Sequence, residues 1–314
     1  MDNGRISKSG MNKNEVNRAP RPVLRRTVLK TTSALPVLVT LLNGTAGFAA
    51  IHYATKAGLD GAGGFHNVMI AAWMIFAALL FDALDGRLAR MTRQATDFGA
   101  QLDSLCDIIS FGVAPAVLMV HTASLTRQIP DFEFIEPHAS NLGKVVMVIA
   151  VIYVCCAALR LARFTVENAP DLLHHLHFTG LPSPAAAVLV ASMVLLFGHI
   201  QGPHGSARMM KWLNITVGVA LPSLTFVTSL LMVSRFRYPH LVNRFVIGKK
   251  PFGHVVVIVI GLIIGLVFLM YALPTATLIY AASGPVGALW GRFKTRKARR
   301  CSDDKRADYS SSST

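Results

Sequence analysis

Charge is scarce in this chain, and acidic charge scarcest. Of 314 residues only 15% are charged, with 16 acidic against 31 basic side chains. With 53% of residues apolar and a mean hydropathy of +0.48, the balance argues against a water-soluble domain and for an all-α polytopic membrane protein. Cysteine is scarce too. Cys155 and Cys156 are adjacent within an apolar run, while Cys106 and Cys301 lie far apart, so there is neither a disulfide framework nor a C-x-x-C metal motif. All four read as free thiols. The net charge of +15 would suggest nucleic acid in a soluble protein. Here the basic residues gather in both tails and in alternate loops, where they fix topology and meet anionic headgroups, so membrane lipids are expected as partners and nucleic acid is not.

Residues 1–32 are polar, basic and proline-punctuated, too poor in apolar surface to fold alone, and read as a disordered cytoplasmic tail. Residues 292–314 form a second basic and serine-rich tail. Between them, residues 33–291 carry eight apolar runs, near 33–54, 66–84, 98–121, 142–163, 182–199, 212–234, 254–272 and 275–291. Each is close to the roughly 20 residues that span a bilayer. The first follows a basic region and ends in small residues, as a signal peptide does, but seven further runs make a retained helix the simpler reading. The last two runs are divided only at Pro274, so about eight spans are expected, with seven the alternative. With eight, the clusters Arg87/Arg90/Arg93, Arg160/Arg163 and Arg235/Arg237/Arg244/Lys249/Lys250 share a side with both tails, and Asp131, Glu133 and Glu136 fall opposite. Positive-inside asymmetry then places both termini in the cytoplasm.

Against this apolar background the stretch FDALDGRLARMTRQATDFGAQLDSLCD, residues 81–107, stands out. Asp82 and Asp85 are three apart and share a helix face at the cytoplasmic end of the second span, as Asp103 and Asp107 do on the third. The short connection makes these helices antiparallel neighbours, which can bring the two pairs together. Converging carboxylates repel, so a cation must lie between them, and an all-oxygen site suits Mg²⁺ or Mn²⁺. Aspartates near helix ends also serve as caps, the role expected of Asp97. Gly86 leaves room for a ligand at the helix backbone, Arg90 one turn on can grip phosphate, Thr96 offers a hydroxyl, and Gly99 opens the facing helix for a ribose or base. Metal, glycine and arginine together describe a diphosphate site.

Written out, the pattern Asp82-x2-Asp85-Gly86-x2-Ala89-Arg90-x8-Gly99-x3-Asp103-x3-Asp107 places eight fixed residues in 26 positions. It resembles, without deviation, the signature of the CDP-alcohol phosphotransferase family. The resemblance implies a membrane-embedded helical bundle that binds two divalent cations and a CDP-linked lipid. It further implies Asp82 and Asp103 bridging both ions, Asp85 completing one site, and Asp107 completing the other while acting as general base. Gly86, Arg90 and Thr96 fall at positions associated with the CDP moiety. Homodimerisation enters by the same analogy.

The segments LDSLCDIISFGVAPA (102–116), ALRLARF (158–164), FTGLPSPAAA (178–187) and MVSRFRYP (232–239) look like the family's bacterial phosphatidylserine synthase branch. That likeness implies CDP-diacylglycerol and L-serine as substrates and the bacterial inner membrane as the location. Val37 and Thr165 stand where this branch often has asparagine. Arg160 and Arg163, three apart at the cytoplasmic end of the fourth span, can neutralise a lipid phosphate, bind the serine carboxylate, or simply snorkel to the interface. Pro182 and Pro184 break the helical entry to the fifth span, with Ser183 between them offering a polar group. His174, His175 and His177 lack cysteine or acidic partners at ligand spacing and read as solvated or headgroup-facing. Rival readings are a transferase of the same family acting on glycerol 3-phosphate, an inositol phosphate or choline, and a cation transporter using intramembrane aspartates.

Overall fold

Apolar runs of spanning length fold as helices because a bilayer leaves backbone amides no partner but their own chain. The computed structural model describes residues 34–58, 64–92, 97–127, 136–167, 180–201, 207–234, 236 and 268–288. Its helices are α1 (Ala34–Ala57), α2 (Gly64–Thr92), α3 (Asp97–Asp107), α4 (Ala114–Arg127), α5 (Glu136–Glu167), α6 (Ser183–Ile200) and α7 (Ala207–Val233). A further helix, α8, covers residues 269–288. No strand occurs among the described residues.

Six helices among the described residues are long and apolar enough to cross a membrane, which makes the chain an integral membrane protein. They coincide with the first six apolar runs. The third crossing, Phe98–Thr126, is composite: α3 passes through a π-helical turn, Ile108–Val113, into α4. The seventh run, 254–272, lies mostly outside the described residues, and the eighth falls in α8. One boundary differs from expectation. Pro274 does not divide two spans, since α8 begins at residue 269 and runs through it. Hydroxyls cover carbonyls around the proline: Thr275 Oγ1 donates to the Tyr271 carbonyl at 2.8 Å and Thr277 Oγ1 to that of Leu273 at 2.8 Å. Pro274 lies in the second turn of α8, near its described start at residue 269.

The lipid-facing and inward surfaces separate cleanly. Leu38, Phe48, Leu80, Val148, Leu159 and Leu230 are among many large apolar side chains left exposed, as helices bathed in acyl chains require. The composite third span and α6 are the most enclosed, each 61% buried over its apolar window, so they form the centre of the bundle. α1 packs along α2, α4 lies against α1 and α7, and α5 packs on α7. α8 joins α6 through Ser192 Oγ and Thr277 Oγ1, 3.3 Å apart, and through the edge-on rings of His199 and Tyr271. The core holds Tyr153, Phe111, Ile75, Leu118, Met119 and Leu189, all fully buried.

Two glycines set the approach of elements to the region of the aspartates. A Cβ at Gly47 would stand 2.7 Å from the Ser110 Cα, so only glycine lets α1 lie this close to the π turn. Gly180 adopts φ +95°, and a Cβ there would collide with the Met232 carbonyl oxygen. It is pinned to the end of α7, its N–H donating to the Phe236 carbonyl at 2.8 Å while the Leu181 N–H reaches that of Leu231 at 3.0 Å. These bonds join residues 180 and 181, just before α6, to Leu231 and Phe236 at and beyond the end of α7, and fix where α6 starts. Pro182 precedes that helix and Pro184 sits in its first turn, as expected of a proline-defined entry.

Candidate active site and metal centre

Asp82 and Asp85 lie near the C-terminal end of α2, one turn apart, and Asp103 projects from the second turn of α3. Each offers one carboxylate oxygen to a cluster in which all such atoms fall within 4.8 Å of one another. Asp85 is buried, and Asp85 Oδ2 and Asp103 Oδ1 are enclosed without a hydrogen-bond partner. Two like charges at ~4 Å repel by about 4 kcal/mol even at an effective dielectric constant near 20. Unpartnered oxygens so close together fit a hard divalent cation, for which oxygen donors are the natural ligands. A solvated surface cluster would not leave its oxygens shut away.

Three of the four aspartates expected to share metal form this cluster. Asp107 lies outside the three-carboxylate cluster, and its Oδ1 accepts a hydrogen bond from Asn43 Nδ2 at 3.1 Å. An ionised carboxylate accepts only, so the amide nitrogen must face it. The amide's own oxygen, Asn43 Oδ1, is buried without a partner, an arrangement that costs about 1–3 kcal/mol. Thr40, one turn earlier on α1, donates its hydroxyl to the Pro36 carbonyl at 3.0 Å. The α1 side-chain bond to the aspartates is thus that of Asn43 to Asp107.

The π turn that follows Asp107 is held from two sides. Ser110 Oγ donates to the Asn43 backbone carbonyl at 2.9 Å, and the buried Tyr153 hydroxyl donates to the Phe111 carbonyl at 3.2 Å. A π turn departs from regular helical pairing, and here its own Ser110 hydroxyl bonds the α1 backbone while the Tyr153 side chain of α5 engages its Phe111 carbonyl.

Around the carboxylates the expected ligand-binding residues are distributed unequally. Gly86 is exposed, and a Cβ there would meet nothing within 4 Å among the described residues, which leaves room beside α2 at this position. Gly99 is half-buried in the first turn of α3. The side chain of Arg90, and Thr96 altogether, lie outside the described residues, as do His174, His175, His177 and both tails. Arg160 and Arg163 part company: Arg160 is half-buried, whereas Arg163 is exposed. Arg160 Nη1 donates to Ser183 Oγ at 2.7 Å, and the guanidinium feels the charge of Asp107. Ser183 is itself buried at the start of α6, so its hydroxyl serves an inward contact.

Asn43, Thr40, Ser110 and Tyr153 escaped the reading of the sequence. A signal was present, because Thr40 and Asn43 are polar residues three apart inside an apolar span, the spacing of one helix face.

The family model for CDP-alcohol phosphatidyltransferases matches residues 33–224, more than half of the chain and the whole region from α1 to the aspartates and beyond. The chain belongs to this family. Among curated relatives of this CDP-alcohol phosphatidyltransferase is a CDP-diacylglycerol–serine O-phosphatidyltransferase of Helicobacter pylori, 32% identical over 206 residues, covering 65% of this chain and 71% of that one. A protein of the same name from Mycobacterium leprae is 30% identical over 263 residues, 80% of this chain and 75% of the relative. An archaetidylserine synthase of Methanothermobacter thermautotrophicus is 36% identical over 164 residues, 52% of this chain and 58% of the relative. The lipid part of these names varies while serine stays.

Proposed function

We infer that this chain transfers the phosphatidyl group of CDP-diacylglycerol to the hydroxyl of L-serine, giving phosphatidylserine and CMP. The observation that carries the reading is the convergence of Asp82, Asp85 and Asp103, in a family of CDP-alcohol transferases, beside an aspartate held separately by Asn43. The serine-specific names of the relatives select the acceptor.

In the reaction the serine oxygen forms a bond to the phosphorus that carries diacylglycerol. The bond from that phosphorus to the bridging oxygen breaks, and CMP departs with the electron pair. The serine proton passes to Asp107, which stands one turn from the cluster, and positioning within roughly 3–3.5 Å supplies much of the rate. Asp82, Asp85, Asp103 and, at the edge, Asp107 are the residues to hold two Mg²⁺ or Mn²⁺ ions, which when bound neutralise the diphosphate and the departing CMP. Gly86 gives the nucleotide its approach to α2, with Arg90, Thr96 and Gly99 completing the CDP site.

Arg160 is the residue we assign to the serine carboxylate. A guanidinium carries five donors, and its one side-chain hydrogen bond among the described residues goes to neutral Ser183. That leaves a half-buried cation near Asp107 with donors to spare for a planar anion. Arg163, exposed on the same helix, suits lipid headgroups. The positive-inside tendency of the basic clusters supports a site and both termini facing the cytoplasm, and the family likeness supports the bacterial inner membrane as the location. The family likeness also implies a homodimer, which cross-linking in membranes tests.

The deciding assay offers serine, glycerol 3-phosphate, an inositol phosphate and choline separately to purified protein with CDP-diacylglycerol and Mn²⁺, and follows CMP. Serine alone should drive release. Faster release with a phosphorylated alcohol would move the chain to another branch of the family.

A further inference from the structure

We propose that Asn43 is a positioning residue for the transfer step: its amide holds Asp107 Oδ1 so that the other carboxylate oxygen faces the acceptor hydroxyl. The proposal rests on the reading of Asp107 as proton acceptor. Among the described residues Asn43 is the one side-chain hydrogen-bond partner of Asp107, at 3.1 Å. A carboxylate with one oxygen tied cannot rotate freely about its last bond, and a proton acceptor aimed at a bound hydroxyl gains from that restraint.

Asn43 is itself immobile. Its side chain is fully buried, and its backbone carbonyl accepts from Ser110 Oγ at 2.9 Å. Asp107 and Ser110 therefore grasp Asn43 from both ends, one at the amide and one at the backbone. Close packing enforces the arrangement. A Cβ at Gly44 would stand 2.9 Å from Cys106 Sγ, and one at Gly47 would stand 2.7 Å from the Ser110 Cα, so α1 sits against α3 without an intervening layer. On the far side Tyr153 secures the same turn through the Phe111 carbonyl.

The unpartnered half of the amide distinguishes this role from plain packing. Asn43 Oδ1 is buried without a hydrogen-bond partner, so half of the amide is a cost that an apolar side chain would not carry. What asparagine adds at this place is its donor to Asp107.

The test uses the full-length protein and the variants Asn43→Leu and Asn43→Ala, each alone and combined with Asp107→Asn. Rates with serine, KM for both substrates and Mn²⁺ binding by electron paramagnetic resonance are measured, together with the thermal transition in detergent. Removing a hydrogen bond to a charged group should lower kcat about 10- to 100-fold. Mn²⁺ binding and both KM values should stay within about threefold, and Asn43→Leu should add less than about threefold to the loss already caused by Asp107→Asn. A kcat near wild type in both variants overturns the proposal, as does a fully additive loss on the Asp107→Asn background. So does a raised KM for serine, which makes Asn43 an acceptor contact, or failure of both variants to fold, which makes it structural. Absence of serine-dependent CMP release from the wild type overturns the functional reading itself, and the proposal with it.

Discussion

Arg160 Nη1 donates to Ser183 Oγ over 2.7 Å, tying the C-terminal part of α5 to the first residue of α6. The bond depends on where α6 begins, which is set by Gly180 folded against the end of α7 and by the prolines on either side of Ser183. Three distant segments thereby aim one cation. If that cation receives the serine carboxylate, Arg160→Ala should raise KM for serine about 10- to 100-fold, the value of a charge-assisted hydrogen bond, and leave KM for CDP-diacylglycerol near wild type. Ser183→Ala should follow in the same direction by a smaller factor. Initial rates against serine concentration check both.

Gly180→Ala is expected to destabilise the protein. The positive φ alone costs about 1–2 kcal/mol, and the clash with the Met232 carbonyl adds to it. The thermal transition in detergent should fall by several degrees, and the serine KM should rise because the start of α6 moves with the clamp. Unchanged melting would mean that the turn relaxes without strain.

At Gly86 the expectation is the reverse. Among the described residues nothing lies within 4 Å of a Cβ there, so Gly86→Leu should fold with a wild-type melting curve. The side chain then fills the space through which the nucleotide approaches α2. KM for CDP-diacylglycerol should rise at least about tenfold, roughly 1.4 kcal/mol, while the serine KM stays put. A variant with ordinary CDP-lipid kinetics would show that the nucleotide lies elsewhere.

Asp103→Asn removes one oxygen of the cluster at a point where the partner oxygens are buried and close. Mn²⁺ affinity should drop at least about tenfold, and chelation of the wild type should abolish turnover in a manner restored by Mg²⁺ or Mn²⁺. Asp107→Asn, by contrast, should retain CDP-lipid binding and lose turnover. Metal titration and CDP-lipid binding, measured on both variants, check these outcomes.

How far the sequence reaches into this structure depends on the range of the physics involved. Span positions follow from hydropathy over roughly 20 residues, and the first six runs coincide with six helices. The spacing of Asp82 and Asp85, and the shortness of the link to α3, likewise sufficed to bring Asp103 to them. What hydropathy conceals is the partner across a helix interface. Asn43 lies 64 residues from Asp107 and reads locally as one polar residue in an apolar run. The π turn after Asp107 has no local mark either, being imposed by contacts with α1 and α5. Pro274 misled in the opposite way, since it lies within the second turn of α8 and does not end a helix.

The most direct measurement follows isotopically labelled serine into lipid. Purified wild-type protein with CDP-diacylglycerol and Mn²⁺ should move label into the lipid phase mole for mole with CMP released, and Asp103→Asn should do neither at more than a small fraction of that rate. Label transfer by Asp103→Asn at the wild-type rate, or CMP release from the wild type without labelled lipid, would contradict an aspartate-built centre that joins serine to a phosphatidyl group.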